Sequence, residues 1–173
     1  FAMDVNEDNS GNENRASAGV ALERIELVVK TTTGNYKFTN FSTSTSGAGA
    51  IGARPYRGLL LAANGRLYGT CTQGGINNVG TLFEFNIGTG VLTKRADFDL
   101  STAAAGKGST PRCRLMQASN ALVYGVTQLG GVNGRGTLFQ FNTSNNVFTK
   151  RHDFAALPSL TGGQPFGGLA QAS

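Results

Sequence analysis

The stretch GTLFEFN at residues 80–86 is followed by a near-copy, GTLFQFN, at residues 136–142. The match extends in both directions without a gap, so that residues 54–98 align on residues 110–154. Identical residues occupy 21 of these 45 aligned positions. Self-similarity at a fixed spacing is the signature of a repeat architecture. The sequence therefore predicts two full copies of one structural unit.

Each full copy is predicted to contain four short strands. The hairpin turns Asn64-Gly65 and Asn120-Ala121 are predicted to be two-residue turns, which need a positive φ. Four antiparallel strands repeated at this spacing are typical of a propeller blade. The predicted fold is thus all-β, a propeller-like array of four-stranded antiparallel blades. The predicted strands are 58–63, 66–71, 80–86 and 91–98 in the first unit, and 114–118, 122–127, 136–142 and 147–154 in the second.

Incomplete copies of the unit flank the two full ones. The segment PFGGLA at residues 165–170 repeats the start of a unit, which predicts a half-unit over residues 164–173. Residues 24–41 resemble the second half of a unit, with Phe41 in the place of Phe98. We therefore expect about three blade-equivalents in the repeat domain, which is predicted to cover residues 20–173.

Residues 1–19 differ from the rest of the chain in composition. They are rich in Asn, Asp, Glu and Ser and poor in apolar residues, which predicts a flexible acidic arm. The whole chain nevertheless has a net charge of +5. A basic repeat domain can attract anionic glycans or nucleic acid, but no basic run, recognition helix or zinc-finger spacing favours nucleic acid. No apolar run is long enough to predict a membrane span.

The glycines, the tyrosine and the aromatic strand of the unit recur in a known pattern. With LYGT at residues 67–70, a double glycine at 74–75 and GTLF at 80–83, the repeat resembles the GloVer tandem-repeat family. The second unit departs from the first, with YGVT at residues 124–127. The resemblance covers most of the chain outside the arm. It implies a secreted or surface-anchored bacterial protein with propeller-like character. The family has no assigned enzymatic activity, so the resemblance implies no particular chemistry, and no cofactor is predicted.

The predicted number of blades is too small for a closed ring. Propellers close with about four to eight blades, and an open array exposes apolar faces at both ends. Two alternatives remain open. The chain belongs to a longer protein, or copies of it assemble, for instance two chains in one ring. In the second case a hybrid blade would combine residues 24–41 with residues 164–172.

Arginines are concentrated at the first strand of each unit. In a propeller this strand lines the central channel, where a ring of arginines would bind a carboxylated or phosphorylated ligand. The alternative is ordinary surface charge, or ion pairs with Asp97 and Asp153 between blades. The four candidate residues are Arg54, Arg57, Arg112 and Arg114.

Two further pairs of equivalent residues are candidates for glycan binding. Tyr68 and Tyr124 would stack on sugar rings, or else they are buried tyrosines that form a hydrogen bond through the hydroxyl group. Asn77 and Asn133 lie in Gly-Gly-x-Asn loops, which we expect to connect the second and third strands on one rim.

The remaining reactive residues give little support to catalysis. Cys71 and Cys113 form either an interblade disulfide or two buried thiols, and the single His152 cannot complete a zinc site with them. His152 and Asp153 are neighbours on a strand, so their side chains point to opposite faces and cannot act as a catalytic pair.

The leading functional prediction is a non-catalytic extracellular structural or interaction protein that self-associates. Its expected partner is a second copy or the remainder of a longer chain. One alternative is a lectin-like module for neutral or anionic glycans. Another is a propeller-based hydrolase or lyase with a site at the channel mouth.

Overall fold

A computed structural model describes residues 26–30, 36–41, 50–155 and 162–171, without the side chains of 26–30, 36–40 and 57. The predicted arm at residues 1–19 lies outside these residues. The described chain consists of strands and turns and contains no helix, which confirms the all-β prediction.

Twelve strands make up the described secondary structure. A first hairpin is formed by β1 (Glu26–Lys30) and β2 (Tyr36–Asn40). The first full unit contains β3 (Ala53–Leu61), β4 (Leu67–Gln73), β5 (Thr81–Asn86) and β6 (Val91–Asp97). The second contains β7 (Cys113–Arg114), β8 (Met116–Gln117), β9 (Val123–Val126), β10 (Thr137–Asn142) and β11 (Val147–Asp153). The last strand is β12 (Gly167–Gly168).

Each full unit forms one four-stranded antiparallel sheet, in the orders β3-β4-β5-β6 and β8-β9-β10-β11. Neighbouring strands in each sheet are also neighbours in sequence, as the repeat predicts. Both sheets have a register shift at the same place in the third strand, between Leu82 and Phe83 and between Leu138 and Phe139. The described sheets do not close into a barrel or a ring.

The first strand of the second unit was predicted to be continuous over 114–118. This is wrong, because the strand is split into β7 and β8. The β8 half pairs with β9, whereas β7 pairs in parallel with β12. At the break, the amide of Val126 donates to the thiol of Cys113 at 3.3 Å instead of to a strand carbonyl. The array is therefore antiparallel within sheets and contains one parallel pair between units.

The hairpin turns also differ from the prediction. The amide of Gly65 donates to the Ala62 carbonyl and the amide of Ala62 to the Arg66 carbonyl, both at 2.9 Å. The loop thus has three residues, and only its last residue has a positive φ, 75° at Gly65 and 62° at Ala121. A type I turn followed by one left-handed residue explains this geometry, so the two-residue turns are wrong.

The core lies between the sheets. One cluster joins the two units and contains the contact of Phe98 with Phe139, whose ring centroids are 5.3 Å apart. A second cluster covers the other face of the first sheet, where Phe41 and Phe83 are 5.0 Å apart. Phe41 thus contacts the first unit as Phe98 contacts the second. The predicted equivalence of Phe41 and Phe98 is confirmed by this packing.

Candidate functional site

The first strands of three consecutive units meet at one place. Tyr56, Arg112 and Phe166 each follow the proline that begins a unit. The ring centroids of Tyr56 and Phe166 are 6.3 Å apart, and the guanidinium of Arg112 lies 5.9 Å from the Tyr56 ring centroid. Residues at equivalent positions of the three units therefore form one cluster, which we call the axial cluster.

An unusual backbone conformation precedes each of these residues. The residue before the proline has a φ of 54° at Arg54, 53° at Thr110 and 54° at Gln164. Left-handed backbone is uncommon for residues with a side chain, and proline further restricts the residue before it. Hydrogen bonds to the preceding unit hold two of these positions. The Thr110 amide donates to the Val79 carbonyl at 2.8 Å, and the Gln164 amide donates to the Arg135 carbonyl at 2.7 Å.

Glycine completes this joint between units. A Cβ on Gly80 would lie 2.6 Å from Cδ of Pro111, and one on Gly136 would lie 2.9 Å from Cδ of Pro165. Both distances are too short for a real contact, so the proline of one unit packs where only a glycine fits in the unit before it. The joint fixes the direction of the first strand and brings the residue after each proline to the axial cluster.

The charge at this place is basic. Arg54 and Arg114 are exposed, and Nε of Arg112 is buried with no hydrogen-bond acceptor among the described residues. The alternative of ion pairs with Asp97 and Asp153 is not formed by Arg54, Arg112 or Arg114. Each aspartate pairs with a lysine of its own strand, Lys94 at 2.9 Å and Lys150 at 2.7 Å. Arg57 lies on β3, but its side chain is outside the described residues.

A groove of about 470 Å³ is lined by Arg114, which lies two residues along the chain from Arg112 of the axial cluster. The first strands of all three units contribute to it. Seven of the nine lining residues have apolar side chains, but polar atoms contribute more of the exposed lining than apolar atoms do. Arg114 is the charged side chain in the lining. The groove is lined by Leu59, Leu60, Leu61, Leu67, Arg114, Leu115, Met116, Gln117 and Leu169.

The two predicted tyrosines lie in different surroundings. Tyr68 is completely buried; its hydroxyl group donates to Oε2 of Glu84 at 2.8 Å and accepts from Asn64 at 2.9 Å. Burial raises the pKa of Tyr68 to about 12; the hydrogen bond from Asn64 acts in the opposite direction, and the bond to Glu84 adds to the increase. Tyr124 is half-buried and accepts a hydrogen bond from Asn120 at 3.0 Å. Tyr68 has no ring face open to a sugar.

The two predicted asparagines support the loops that contain them. The side-chain amide of Asn77 donates to the Phe98 carbonyl at 3.1 Å, and that of Asn133 donates to the Phe154 carbonyl at 3.0 Å. The loops join the second and third strands of each unit, as predicted. Each asparagine therefore binds its loop to the end of the fourth strand of the same unit.

Both cysteines are free, buried thiols, so the disulfide alternative is not formed. Cys71 belongs to the core cluster on the outer face of the first sheet, and Cys113 belongs to the cluster between the sheets. Burial raises the pKa of Cys71 to about 12 and that of Cys113 to about 11. Both thiols are thus protonated and unreactive at neutral pH.

His152 and Asp153 have separate partners. The His152 ring packs edge-on against Phe154, with centroids 5.5 Å apart, while Asp153 accepts hydrogen bonds from the Val132 amide and from Lys150. Burial alone would raise the pKa of Asp153, but these bonds outweigh it and lower the pKa. No group of three metal-ligating side chains occurs in the part of the chain that the structure describes. Nor do the described residues include a helix long and apolar enough to cross a membrane.

Two features of the site were not predicted from the sequence. One is the presence of Tyr56 and Phe166 beside Arg112. The available signal was the alignment of the three prolines, which places these three residues at equivalent positions. The other is the buried Glu84, which binds both Arg66 and Arg95 and accepts from Tyr68. Glutamate within an apolar strand was the available signal, because a buried carboxylate needs partners.

Comparison with known proteins gives one match. No curated protein and no solved structure is similar to the chain. The Gloeobacter/Verrucomicrobia repeat matches residues 27–173, which is most of the chain and includes both full units. This agrees with the resemblance carried by the tyrosine, the spaced glycines and the aromatic strand. The chain belongs to the Gloeobacter/Verrucomicrobia repeat family.

Proposed function

We propose that this chain is a non-catalytic structural and interaction protein whose sheets are propeller blades. In this proposal it self-associates, because a second copy packs on the open face of the second sheet. The observation that carries the proposal is the unequal burial of one repeated face. That face is covered in the first unit and uncovered in the second.

The third strands show the difference directly. In β5, every residue from Thr81 to Phe85 is buried, so both faces of the sheet are covered. In β10, the sister strand, burial alternates, and Leu138 and Gln140 are only half-buried. Phe98 is completely buried between the sheets, whereas its equivalent Phe154 is half-buried. The apolar residues with which the first unit packs against the second therefore recur on the equivalent face of the second unit, where no described unit covers them.

The beginning of a third unit is already in place beside the second. Gln117 accepts from the Ala63 amide at 2.7 Å, and Gln171 accepts from the Ser119 amide at 2.8 Å, which repeats the same contact one unit later. Within the described residues this third unit consists of its first strand, and the β1–β2 hairpin corresponds to the third and fourth strands of a unit. In the proposal, the β1–β2 hairpin of a second copy covers the open face.

Sedimentation velocity over a wide range of protein concentration tests the proposal. We expect the wild type to associate and Leu138→Glu to remain monomeric, because a charge on the open face opposes burial there. Leu100→Glu is the matched control, since Leu100 is 59% exposed in the loop after the first sheet. The proposal fails if the wild type is monomeric at all concentrations, or if both variants change association equally.

An extracellular or cell-surface location is part of the same proposal. It is supported by the family resemblance, which implies secreted or surface-anchored proteins, and not by any feature of the fold. Fractionation of cells that express the full-length protein tests it, with recovery from the medium or the surface expected. Recovery from the cytoplasm alone would contradict it. Glycan binding through Tyr124 and the two asparagines stays a prediction, whereas the buried Tyr68 cannot stack on a sugar.

A further inference from the structure

We propose that the axial cluster and the groove lined by Arg114 form a binding site for a small organic carboxylate with an apolar body. Arg112 and Arg114 would bind the carboxylate, and the aromatic rings and the leucines would contact the apolar part. This inference goes beyond the proposed function, because it needs neither self-association nor a closed ring.

Arg112 lies directly before β7 and Arg114 within it, and the alternation of burial along residues 111–115 places both on the same side of this segment. Residues two apart in a strand share a face, and the alternation here is visible: Cys113 and Leu115 are buried while Arg114 is exposed. Arg112 and Arg114 can therefore act on one ligand from one strand. Such a pair of planar guanidinium groups suits a carboxylate, which accepts two parallel hydrogen bonds from each.

Glycines leave open space beside Arg114. Its equivalents in the other units are Gly58 and Gly168. A Cβ on Gly58 would have no atom within 4 Å, and one on Gly168 would have only Cβ of Arg114, at 3.7 Å. Gly168, which pairs with Arg114, thus adds no side chain beside it, and the space at Gly58 on the other first strand is open.

The arginines have no acidic partner among the described side chains. Glu84 binds Arg66 and Arg95, and Asp97 and Asp153 bind lysines. Asp99 accepts from the Ser101 and Lys107 amides. Nε of Arg112 is buried and lacks an acceptor in the described chain. A buried donor without an acceptor is costly, and a carboxylate would supply the acceptor and the opposite charge.

Apolar side chains are available to contact the body of the ligand. The groove of about 470 Å³ lies in the size range of small-molecule sites. Seven of its nine lining residues have apolar side chains, namely Leu59, Leu60, Leu61, Leu67, Leu115, Met116 and Leu169. Phe166, at the axial cluster, is 54% exposed. These features match a carboxylate on an alkyl chain or aromatic ring.

Binding of octanoate, measured by calorimetry and by the 1H–15N signals of the arginine Nε groups, tests the proposal. Octanol and glucuronate serve as probes that lack the charge and the apolar body respectively. We expect octanoate to bind and to shift the Arg112 Nε signal, with both other probes at least roughly tenfold weaker. Equal binding of octanol, or equal binding of glucuronate, would overturn it.

Variants separate this site from general basic charge. We expect Arg114→Gln to weaken octanoate binding by roughly tenfold, and Gly58→Val to block it by filling the open space. Arg151→Gln is the control, since Arg151 is an exposed arginine on β11. An unchanged affinity in both Arg114→Gln and Gly58→Val, or an equal loss in the control, would contradict the proposal. We expect Leu138→Glu to bind octanoate as tightly as the wild type does, because the site does not depend on self-association.

Discussion

The first and second units form the same kind of four-stranded sheet but have different surroundings. The first sheet is covered on both faces, by Phe41 on one side and by the second unit on the other. The second sheet is covered on one face only, as the alternating burial of β10 shows. Sequence changes follow this difference. Glu84, which binds two arginines in the first unit, is replaced by Gln140 in the second. One of those arginines, Arg66, is replaced by Leu122. What covers a repeat thus decides which polar groups it can keep.

The Glu84 cluster shows how the covered unit tolerates a buried charge. The carboxylate receives hydrogen bonds from Arg95 at 2.9 Å and Tyr68 at 2.8 Å, and it binds Arg66 as well. Burial alone would raise the pKa of Glu84, but these partners outweigh it and hold the pKa below its usual value. The buried acid is therefore ionised and fully paired, as buried charges must be.

The largest expected difference between the units is at the equivalent phenylalanines. Phe98→Ala removes a completely buried ring between the sheets, so we expect a loss of about 3–5 kcal/mol in the free energy of unfolding. Phe154→Ala removes a half-buried ring from the open face, and we expect about 1 kcal/mol or less in the monomer. Urea denaturation at a concentration where both variants are monomeric measures this. Equal losses would contradict the unequal covering of the two faces.

The next effect concerns the equivalent arginines. Arg95→Ala leaves the buried Glu84 with one hydrogen bond fewer, which should cost about 1–3 kcal/mol. Arg151→Ala removes an exposed arginine, and we expect a change within about 0.5 kcal/mol. The two variants remove the same side chain from equivalent strand positions. A loss in Arg151→Ala as large as that in Arg95→Ala would show that the ion pair is not its cause.

The pH dependence of stability provides a third comparison. A carboxyl whose pKa is lowered by folding stabilises the protein fully above its unfolded pKa, about 4.3 for glutamate, and loses this effect as the pH falls through the folded value. We therefore expect wild type to exceed Glu84→Gln in stability by a constant amount above about pH 5, with the difference shrinking in stronger acid. Asp153 titrates in both proteins, so it cancels. A difference independent of pH down to pH 2 would contradict the ionised state of Glu84.

The smallest effect is expected in the turns, where the units exchange Gly65 for Ala121. Both residues have a left-handed backbone, which costs a residue with a Cβ about 1 kcal/mol. Ala121→Gly should therefore stabilise the protein by up to about 1 kcal/mol, and Gly65→Ala should destabilise it by a similar amount. Thermal unfolding of the two variants measures opposite shifts. Shifts of the same sign would contradict the shared turn geometry.

The sequence was sufficient to predict the order of the strands within one unit, but not the geometry of the first hairpin turn or the break in the first strand of the second unit. Alignment of the copies predicted four strands in order, the loops at residues 74–80 and 130–136, and the place of Phe41. Contacts between units were harder to predict. The parallel pairing of β7 with β12, the left-handed residue before each proline and the meeting of Tyr56 with Phe166 depend on how one unit lies on the next. Periodicity within a strand carries no information about that angle.

The partners of the two aspartates could not be predicted from the sequence for a related reason. One alternative for the arginines of the first strand was an ion pair with Asp97 or Asp153, since these aspartates recur in both units. Each aspartate instead pairs with the lysine three positions before it on the same strand. That lysine recurs too, so the sequence offered both partners, and only the local strand geometry selects the nearer one.

The accessibility of residue 138 tests the central claim most directly. Leu138→Cys places a thiol on the open face, and Leu82→Cys places one at the equivalent covered position. The native Cys71 and Cys113 are buried and protonated, so they react slowly with a thiol reagent. We expect the thiol at 138 to react rapidly in dilute protein and slowly in concentrated protein, while the thiol at 82 stays protected throughout. Rapid reaction at 138 at every concentration would contradict the stacking of a second copy on this face.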